Sequence, residues 1–379
     1  KLGFQSQRIM KVAQELYEGI NLGSEFGGTQ GLVTLEDILE QLVGLGLRHD
    51  WVLEERASVA GNFRVWQLGL AYGDDRLIRA YYPVMRRWVD YLTSRSEGHL
   101  IDFGLGDWYD YGDFRAGFSR NTPVGLVASA HYYMAARHLA QAAALVGEKA
   151  DQTHYNALAE QISAAFNARY FDPATCQYGT GSQCSNALPL FLEMVPAERR
   201  EAVLTNLVAD IRAHKTRLTT GDVGNRYLFQ TLARNGLNEL MCEMHNHWEA
   251  PGYGFQLQYG ATTLTEQWDP RQGSSWNHFM MGQLDEWLFR SLIGIQPDEH
   301  GEGYRKLTIA PAPVGDLRWA KGSVQSLYGE VAVSWERDEE QLFTLHVTIP
   351  ANCHASIWLP GDEKPLAVTA GRHTFTKQL

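Results

Sequence analysis

The residues that most suggest chemistry stand in the segment IDFGLGDWYDYGDF, where acidic and aromatic side chains alternate with glycine. Because Gly- and Asp-rich sequence does not sustain a helix, this composition predicts a loop. An aromatic ring beside carboxylates suits a carbohydrate, since the ring stacks on the apolar face of a sugar while the carboxylates accept its hydroxyl groups. Trp108 is the predicted ring, and Asp107 and Asp110 are predicted to bind substrate. The alternatives are a surface loop of Asx turns in which Trp108 caps the core, and a calcium site without the spacing of an EF-hand.

A second cluster centres on Glu266 in the segment TTLTEQWDPRQGSSWNHF. A carboxylate in a recess lined by aromatic rings can activate a water molecule as a general base. Trp268 is predicted to line the same recess and bind substrate. Asn277 and His278 stand where a helix is predicted to begin, so they can aim hydrogen-bond donors at the substrate. The alternatives are an ion pair between Glu266 and Arg271, and a core histidine at position 278 with satisfied hydrogen bonds.

A third candidate is the motif HNHWE, which contains His245, His247 and Glu249. An H-x-H pair places both rings on one side of an extended segment, which is compatible with a metal. No further ligand has convincing spacing, so a surface or sugar-facing loop is favoured and no metal is predicted. The chain has no Walker loop, no G-x-S-x-G elbow and no G-x-G-x-x-G after a strand, and we therefore predict no cofactor.

The composition is that of an ordinary globular protein and excludes several kinds of partner. The 379 residues carry 44% hydrophobic side chains, 20% charged side chains and a net charge of −11. This acidic balance disfavours nucleic acids and anionic membranes as partners, and no apolar run reaches the roughly 18 residues of a membrane span. Of the four cysteines only Cys176 and Cys184 lie close together in the sequence. They could form a disulfide in an oxidising compartment, but free thiols are favoured.

The elements that must position these clusters are mostly helices before residue 300. Apolar residues recur at spacings of three and four, and Gly147, Gly236 and Gly294 stand where helices should stop. Sequential helices with short links pair antiparallel, and such pairs can close into an α/α toroid whose loops converge at one end. The helices are predicted over residues 77–94, 123–147, 154–171, 197–214, 223–236 and 277–295, with two more in the first 60 residues.

After residue 300 the pattern changes to alternation in short β-branched segments separated by Gly, Pro, Asp and Asn. This indicates a small antiparallel β-sandwich of five or six strands. The segment DEHGEG (298–303) is the predicted linker. We therefore predict a mainly α chain, with a barrel domain over residues 1–298 and a β-sandwich domain over residues 304–379.

Five segments of the chain, taken together, resemble a known protein family. The segments DFGLGDWYDYG, SRNTPVGLVASAHYY, LTTGDVGNRYLFQTLARNG, PGYGFQLQYGATTLTEQWD and SSWNHFMMGQLDEWLFRSLIGI resemble successive landmarks of bacterial α-L-rhamnosidases of glycoside hydrolase family 78. They occur in the family's order, and the resemblance covers about residues 64–379. It implies an (α/α)6 barrel followed by a β-sandwich, in agreement with the pattern of the elements.

The resemblance also implies roles for individual residues. Glu266 matches the general base in the family's T-T-L-x-E-x-W motif. Trp108 would stack on the sugar, Asp107 would support that wall, and His278 would hydrogen-bond the bound rhamnose. The implied reaction is inverting hydrolysis, in which one carboxylic acid protonates the leaving oxygen and one carboxylate activates water on the opposite face of the sugar.

The general acid of the family lies in a motif of the form R-E-K/R-L-G-W/Y. Lys1-Leu2-Gly3-Phe4 resembles the tail of that motif, so the acid would fall just before residue 1. Other glutamates occur in the first 60 residues, and the sequence does not favour any of them as the general acid. They include Glu18, Glu25, Glu54 and Glu55.

Three hypotheses follow from the sequence. The first is a glycosidase that removes terminal α-L-rhamnosyl residues from glycosides or polysaccharides, with a rhamnosyl glycoside as its partner. The second is a catalytically impaired, sugar-binding relative that lacks the general acid. The third is an α/α-toroid hydrolase or lyase for another sugar. The pattern specifies neither the aglycone and linkage nor the oligomeric state, and it leaves the compartment open between cytoplasm and periplasm.

Overall fold

The computed structural model describes residues 20–21, 29–30, 66, 69, 72–114, 117–272, 275–278, 281–297 and 303–379. The chain divides into two compact units, Lys1–Gly61 and Asn62–Leu379. In the first unit, Ile20–Asn21 (β1) pairs antiparallel with Thr29–Gln30 (β2). The helices and the four glutamates predicted for the first 60 residues lie outside the described residues, as does the predicted linker apart from Gly303.

Helices make up the described part of the second unit as far as Ile293. Between two of them, Phe171–Asp172 (β3) and Gln177–Tyr178 (β4) form a short antiparallel hairpin. The helices are α1 (Arg76–Arg95), α2 (Val124–Val146), α3 (Lys149–Tyr170), α4 (Gln183–Phe191), α5 (Arg200–Ala213), α6 (Asp222–Arg234), α7 (Asn238–His245), α8 (Tyr253–Gln258) and α9 (Gln283–Trp287).

Outer and inner helices alternate along the chain. In α3 one face is buried, through Tyr155, Leu158, Ile162 and Phe166 at spacings of three and four residues. By contrast, α2 is buried on nearly every side. The inner helix α2 packs against α1 and α3, α4 packs against α5, and α6 packs against α7 and α9. The inner helices also pack against one another, with α4 in contact with both α2 and α6. This alternation is that of an α/α toroid, as predicted.

Two parts of the helical prediction need correction. The helix predicted over residues 277–295 begins only at Gln283 and continues as a π-helix over Leu288–Ile293. Asn277 and His278 therefore lie in the loop before it. Three short helices, α4, α7 and α8, were also not predicted from the sequence. Of these, α4 is buried from Gln183 to Leu190 and contains Pro189. The helix α2 is also buried on nearly every side but has 23 residues, whereas α4 has nine and includes a proline, so α4 is too short and too interrupted to be recognised from its sequence.

The loops that enter the inner helices meet at one end of the toroid. The loop before α2 is joined to the loop before α6, because the Tyr111 N–H donates to the Thr219 carbonyl over 3.2 Å. It is joined to the loop before α4 through the hydroxyl groups of Thr122 and Ser182, 2.8 Å apart. The Gln283 side chain donates to the Asp222 carbonyl over 2.9 Å, which joins α9 to the same end.

The strands after Gly294 form one six-stranded sheet. Its long central strand β9 (Leu342–Ile357) pairs along both halves with β10 (Leu366–Gln378). The other edge of β9 pairs antiparallel with β8 over its first half and parallel with β6 over its second half. The remaining strands are β5 (Ile295–Pro297), β6 (Lys306–Ile309), β7 (Trp319–Ser326) and β8 (Gly329–Arg337).

Strands that pair with the first and the second half of β9 contribute side chains to a single core. Ile309 from β6, Trp335 from β8 and Leu345 from β9 belong to one cluster of buried side chains. The β8 strand buries every second residue, which agrees with the predicted alternation. The strands therefore share one core. The pairing of β6 with β9 is parallel, whereas the sequence predicted an antiparallel arrangement throughout.

The helical part and the sheet share hydrogen bonds at their junction. The carbonyls of the π-helix accept from the sheet region: Ser291 from the Ala312 N–H over 2.9 Å, and Leu292 from the Trp335 indole over 2.8 Å. Gly294 ends the helix at φ +90°, and a Cβ there would lie 2.4 Å from the Pro311 nitrogen. Both the left-handed backbone and the close approach therefore require glycine at this position.

Candidate active site

The loop before α2, residues 102–121, is called the Trp108 loop. Asp107 is completely buried and anchors this loop to the start of α6, where the N–H groups of Gly221 and Gly224 donate to its two carboxylate oxygens over 2.9 and 2.6 Å. The first N–H groups of a helix have no partner within the helix, so an acceptor here satisfies them. Burial raises the pKa of Asp107 to about 6, although the two N–H groups favour its ionised form.

The backbones of the Trp108 loop and α6 approach so closely that no side chain fits between them. The Asp222 N–H donates to the Trp108 carbonyl over 2.8 Å. A Cβ on Gly221 would lie 2.1 Å from that carbonyl oxygen and 2.7 Å from the Asp110 nitrogen. The φ of Gly221 is −94°, an ordinary value, so this glycine is required by space rather than by conformation.

Asp110 holds the Trp108 loop together from within. It is buried, and one of its oxygens accepts from the N–H groups of Arg120 and Asn121 over 2.7 and 2.5 Å. Burial raises the pKa of Asp110, while these N–H groups act in the opposite direction. The two buried carboxylates, Asp107 and Asp110, are thus placed as supports of the loop.

Trp108 is half-buried and braced by two aromatic neighbours. Its ring meets Phe118 edge-on with centroids 5.3 Å apart, and Tyr109 at a tilt over the same distance. Phe118 itself is 62% exposed. The loop therefore presents aromatic surface at the mouth of the toroid, which suits the stacking of a sugar ring.

Residues 261–278, the Glu266 loop, carry the predicted base. Glu266 is partly exposed, and its backbone N–H donates to the Ser275 carbonyl over 3.0 Å. The Ser275 N–H returns a 3.2 Å hydrogen bond to one carboxylate oxygen of Glu266. Arg271 instead pairs with Asp269 over 2.8 Å, so the alternative of an ion pair between Arg271 and Glu266 is wrong.

The two loops meet beside the start of α6. The Gln267 amide donates to the Tyr109 hydroxyl over 3.5 Å, which joins the residue after Glu266 to the residue after Trp108. The negative charge of Glu266 also acts on the carboxyl of Asp222, whose backbone is bonded to Trp108. The structure therefore brings together the two clusters that the sequence analysis assigned to one site.

Three further candidates lie in the Glu266 loop, in different settings. Trp268 is only 4% exposed and packs edge-on against Tyr253 at 5.2 Å, so it lies beneath the loop rather than offering a face to a ligand. Asn277 is exposed at the rim, where its N–H donates to the Ser275 hydroxyl over 3.2 Å. His278 is half-buried, and its N–H donates to the Leu264 carbonyl over 3.0 Å.

The HNHWE motif serves packing in this structure. His245 ends α7 and lies against Phe229 and Tyr253, and burial lowers its pKa to about 3. Glu249 forms an ion pair with Arg217. Within the described residues no group of three or more His, Cys, Asp or Glu side chains is arranged to hold a metal ion. The four cysteines are unpaired thiols.

The sequence analysis missed Asp222, the first residue of α6. Its side chain is buried at 5% exposure, and burial together with the charges of Asp107 and Glu266 raises its pKa to about 8. The only signal in the sequence is an acid after glycine where a helix begins, in the segment TTGDVGNRYL. Such an acid is common in the first turn of exposed helices, so the signal by itself does not indicate a site.

Comparison with known protein families agrees with this architecture. Residues 58–292 match the model of the bacterial alpha-L-rhamnosidase 6 hairpin glycosidase domain, and residues 294–374 match that of the bacterial alpha-L-rhamnosidase C-terminal domain. The chain belongs to the bacterial α-L-rhamnosidase family. The family resemblance and the fold class predicted from the sequence are thereby confirmed.

Individual relatives of this rhamnosidase-family chain include an alpha-L-rhamnosidase of Streptomyces avermitilis, 30% identical over 322 residues, which are 82% of this chain and 30% of the relative. Among solved structures, an alpha-L-rhamnosidase from Dictyoglumus thermophilum superposes with a TM-score of 0.77 at 28% identity, covering 84% of this chain and 39% of that one. A structure of a Streptomyces avermitilis alpha-L-rhamnosidase in complex with L-rhamnose superposes with a TM-score of 0.76 at 27% identity. The superposition covers 85% of this chain and 32% of that one.

The chain spans about a third of the length of the curated relatives it matches. Within the part of the chain that the structure describes, no helix is both long and apolar enough to span a bilayer.

Proposed function

We propose that this chain forms the catalytic helical region of an inverting α-L-rhamnosidase and that Glu266 is its general base. The observation that carries the proposal is the meeting of the Glu266 loop with the Trp108 loop through Gln267 and Tyr109. It is supported by a structural relative that was solved with L-rhamnose. In this proposal residues 1–298 form the catalytic domain and residues 304–379 the C-terminal domain.

The setting of Glu266 suits a base. Its carboxylate is partly exposed and accepts one backbone N–H, from Ser275, so it keeps oxygen lone pairs for a water molecule. As base, Glu266 takes a proton from water as the water oxygen attacks the anomeric carbon. An acid protonates the leaving oxygen as the glycosidic bond breaks, and the released sugar has inverted configuration. We assign the acid to no described residue.

The remaining site residues would hold the substrate, a glycoside with a terminal rhamnosyl group. Trp108 would stack on the apolar face of the sugar, and His278 and Asn277 would donate hydrogen bonds from the other side. Asp107 and Asp110 would act by fixing the Trp108 loop, because both oxygens of Asp107 and one oxygen of Asp110 already accept backbone N–H groups. Trp268 would support Glu266 from beneath.

The proposal is tested with Glu266→Gln and an aryl α-L-rhamnoside. The amide cannot take a proton from water, so turnover should fall by roughly 10²–10⁴-fold, while rhamnose titrated by calorimetry still binds. Glu330→Gln, which changes an exposed residue of the sheet, is the matched control and should keep full turnover. Wild-type turnover in Glu266→Gln would show that the base is another residue.

A second variant separates the base from other roles. In Glu266→Ala the vacated space admits azide, which needs no base in order to attack the anomeric carbon. We expect azide to restore cleavage and to yield the β-rhamnosyl azide, since attack opposite the leaving group inverts the configuration. An α-configured product would contradict the inverting mechanism.

The second hypothesis from the sequence, a sugar-binding relative without the general acid, predicts a different pair of results. The wild-type chain would then bind rhamnose in the calorimeter and cleave no aryl rhamnoside. The third hypothesis predicts that, in a panel of aryl glycosides, the chain cleaves a glycoside of another sugar and does not cleave the rhamnoside.

A further inference from the structure

The Trp108 loop carries a second exposed ring beside the one assigned to the sugar. Phe118 is 62% exposed, and its ring is nearly perpendicular to that of Trp108, with the two centroids 5.3 Å apart. A single exposed apolar side chain is common on protein surfaces and does not indicate a site. Phe118, however, is in contact with Trp108, so the two rings form one continuous aromatic surface at the mouth of the toroid.

The backbone holds Phe118 in this place from both sides. The Gly117 carbonyl accepts from the Tyr109 N–H over 2.8 Å, and the Ser119 N–H donates to the Leu105 carbonyl over 3.3 Å. Both neighbours of Phe118 are thus bonded to the opposite segment of the same loop. A side chain on a fixed backbone loses less freedom when a ligand binds, which favours affinity. Phe118 therefore belongs to a surface that is formed before the ligand arrives.

The aromatic surface is larger than a single sugar ring requires. In the proposed function the terminal rhamnosyl group lies on Trp108, which is half-buried. Phe118 is more exposed than Trp108, and so is Leu105, at 40%. An enzyme that removes a terminal sugar encloses that sugar and leaves the group attached to it, the aglycone, toward the solvent. The more exposed part of the surface therefore lies on the side from which the aglycone extends.

The chemistry around Phe118 favours an aromatic aglycone over a second sugar. The polar groups next to the ring are already engaged, since the Ser119 hydroxyl donates to the Thr122 carbonyl over 2.6 Å and the backbone bonds on either side are made. A sugar in this place would lose water from hydroxyl groups and find few partners for them. An aromatic ring needs only apolar contact and gains from packing against another ring.

We propose that Phe118 binds the aglycone of the substrate and gives the site a preference for rhamnosides whose aglycone is aromatic. The sugar would stack on Trp108, and the aromatic ring attached to its anomeric oxygen would pack on Phe118. This inference rests on the proposed function and names the class of substrate for the same site.

The test compares phenyl and methyl α-L-rhamnoside, which share the sugar and differ in the aglycone. In Phe118→Ala, kcat/KM for the phenyl glycoside should fall roughly three- to tenfold, because the aromatic contact is lost. The value for the methyl glycoside should stay within about twofold of the wild type. Phe118→Tyr keeps a ring and should retain most of the preference. Trp319→Ala, which removes a ring of 64% exposure from β7, is the matched control and should change neither value.

Two results would overturn the inference. If Phe118 serves only to brace Trp108, Phe118→Ala should weaken the binding of free rhamnose in the calorimeter and lower kcat/KM equally for both glycosides. If the surface instead binds a second sugar, a rhamnosyl-glucose disaccharide should lose as much kcat/KM in Phe118→Ala as the phenyl glycoside does. We expect neither loss.

Calorimetry separates failure of this inference from failure of the proposed function. If no rhamnoside is cleaved, titration of the two intact glycosides still applies: the phenyl glycoside should bind more tightly than the methyl glycoside, and Phe118→Ala should abolish the difference. Binding of rhamnose without any preference for the phenyl glycoside refutes the inference alone. A wild-type chain that binds neither rhamnose nor either glycoside refutes the proposed function, and the inference with it.

Discussion

The Trp108 loop and the Glu266 loop meet at the same end of the toroid, but they are held in different ways. The Trp108 loop is anchored by two buried carboxylates, Asp107 and Asp110, which together accept four backbone N–H groups. The carboxylate of Glu266 is partly exposed and accepts one backbone N–H, from Ser275. One side of the candidate site is fixed by buried carboxylates, and the other carries the carboxylate that is proposed to react with water.

This difference agrees with what the proposed hydrolysis would require of each loop. A surface on which a sugar stacks must be in place before the sugar arrives, because ordering it on binding would cost affinity. A base must exchange protons with water, so its carboxylate has to remain hydrated and able to titrate. Buried acids therefore support the first loop, and a partly exposed acid serves the second.

The largest effect should come from Gly221→Ala, which should push the Trp108 loop away from the start of α6. The new methyl group would overlap the backbone of Trp108 and Asp110, which cannot rotate away as a side chain can. We expect a loss of about 3 kcal/mol in the free energy of unfolding, with weaker rhamnose binding, measured by thermal unfolding and calorimetry.

The matched control for this change is Gly322→Ala in β7. There the added methyl would lie 2.5 Å from the Cδ1 atom of Ile293, the mobile end of a side chain, so a small adjustment accommodates it. Equal losses of stability in the two variants would show that the close approach at Gly221 does not hold the Trp108 loop.

A smaller effect is expected from Asp107→Asn, which leaves the space filled. The amide can accept from one of the N–H groups of Gly221 and Gly224 and leaves the other buried without an acceptor, at a cost of about 1–3 kcal/mol. Asp113→Asn, at an exposed acid of the same loop, should change stability by less than about 0.5 kcal/mol. Chemical denaturation of the wild type and the two variants measures both changes in the free energy of unfolding. Equal stabilities of the two variants would show that Asp107 does not anchor the loop.

The smallest effect should come from the other side, with Ser275→Ala. The N–H that Glu266 accepts belongs to the backbone, so removing the hydroxyl leaves that bond intact. Stability should change by less than about 0.5 kcal/mol, and kcat for an aryl rhamnoside should stay within about threefold. A tenfold loss of kcat would mean that the hydroxyl itself serves the reaction and that the Glu266 loop is held more firmly than its backbone bonds indicate.

Much of the fold could be predicted from the sequence, because amphipathic elements carry their own signal. The outer helix α1 was predicted over residues 77–94 and extends from Arg76 to Arg95. The inner helix α4 was missed because it has only nine residues and contains Pro189, whereas the equally buried α2 is 23 residues long and was predicted. The strands were predicted from alternation, whereas the parallel pairing of β6 with β9 depends on contacts between distant segments.

The site was partly predictable for a related reason. Trp108 and Glu266 stand in motifs whose residue types suit binding and base catalysis. The setting of Trp268 was not predictable, because its burial involves packing against Tyr253, which lies on α8 and not in the same loop. Asp222 was missed because its raised pKa arises from burial and from the charges of Asp107 and Glu266, which come together only in the tertiary structure.

The hydrogen bonds at the junction between helices and sheet have a consequence for the molecule as a whole. Three carbonyls at the end of the last helix accept from groups of the sheet region, namely those of Ser291, Leu292 and Gly294. A polypeptide cut at Gly294 would leave these acceptors without their partners and uncover the apolar Ile293. The two parts should therefore melt in a single cooperative transition, and swapping the sheet for that of a relative would succeed only if the junction residues were transplanted with it.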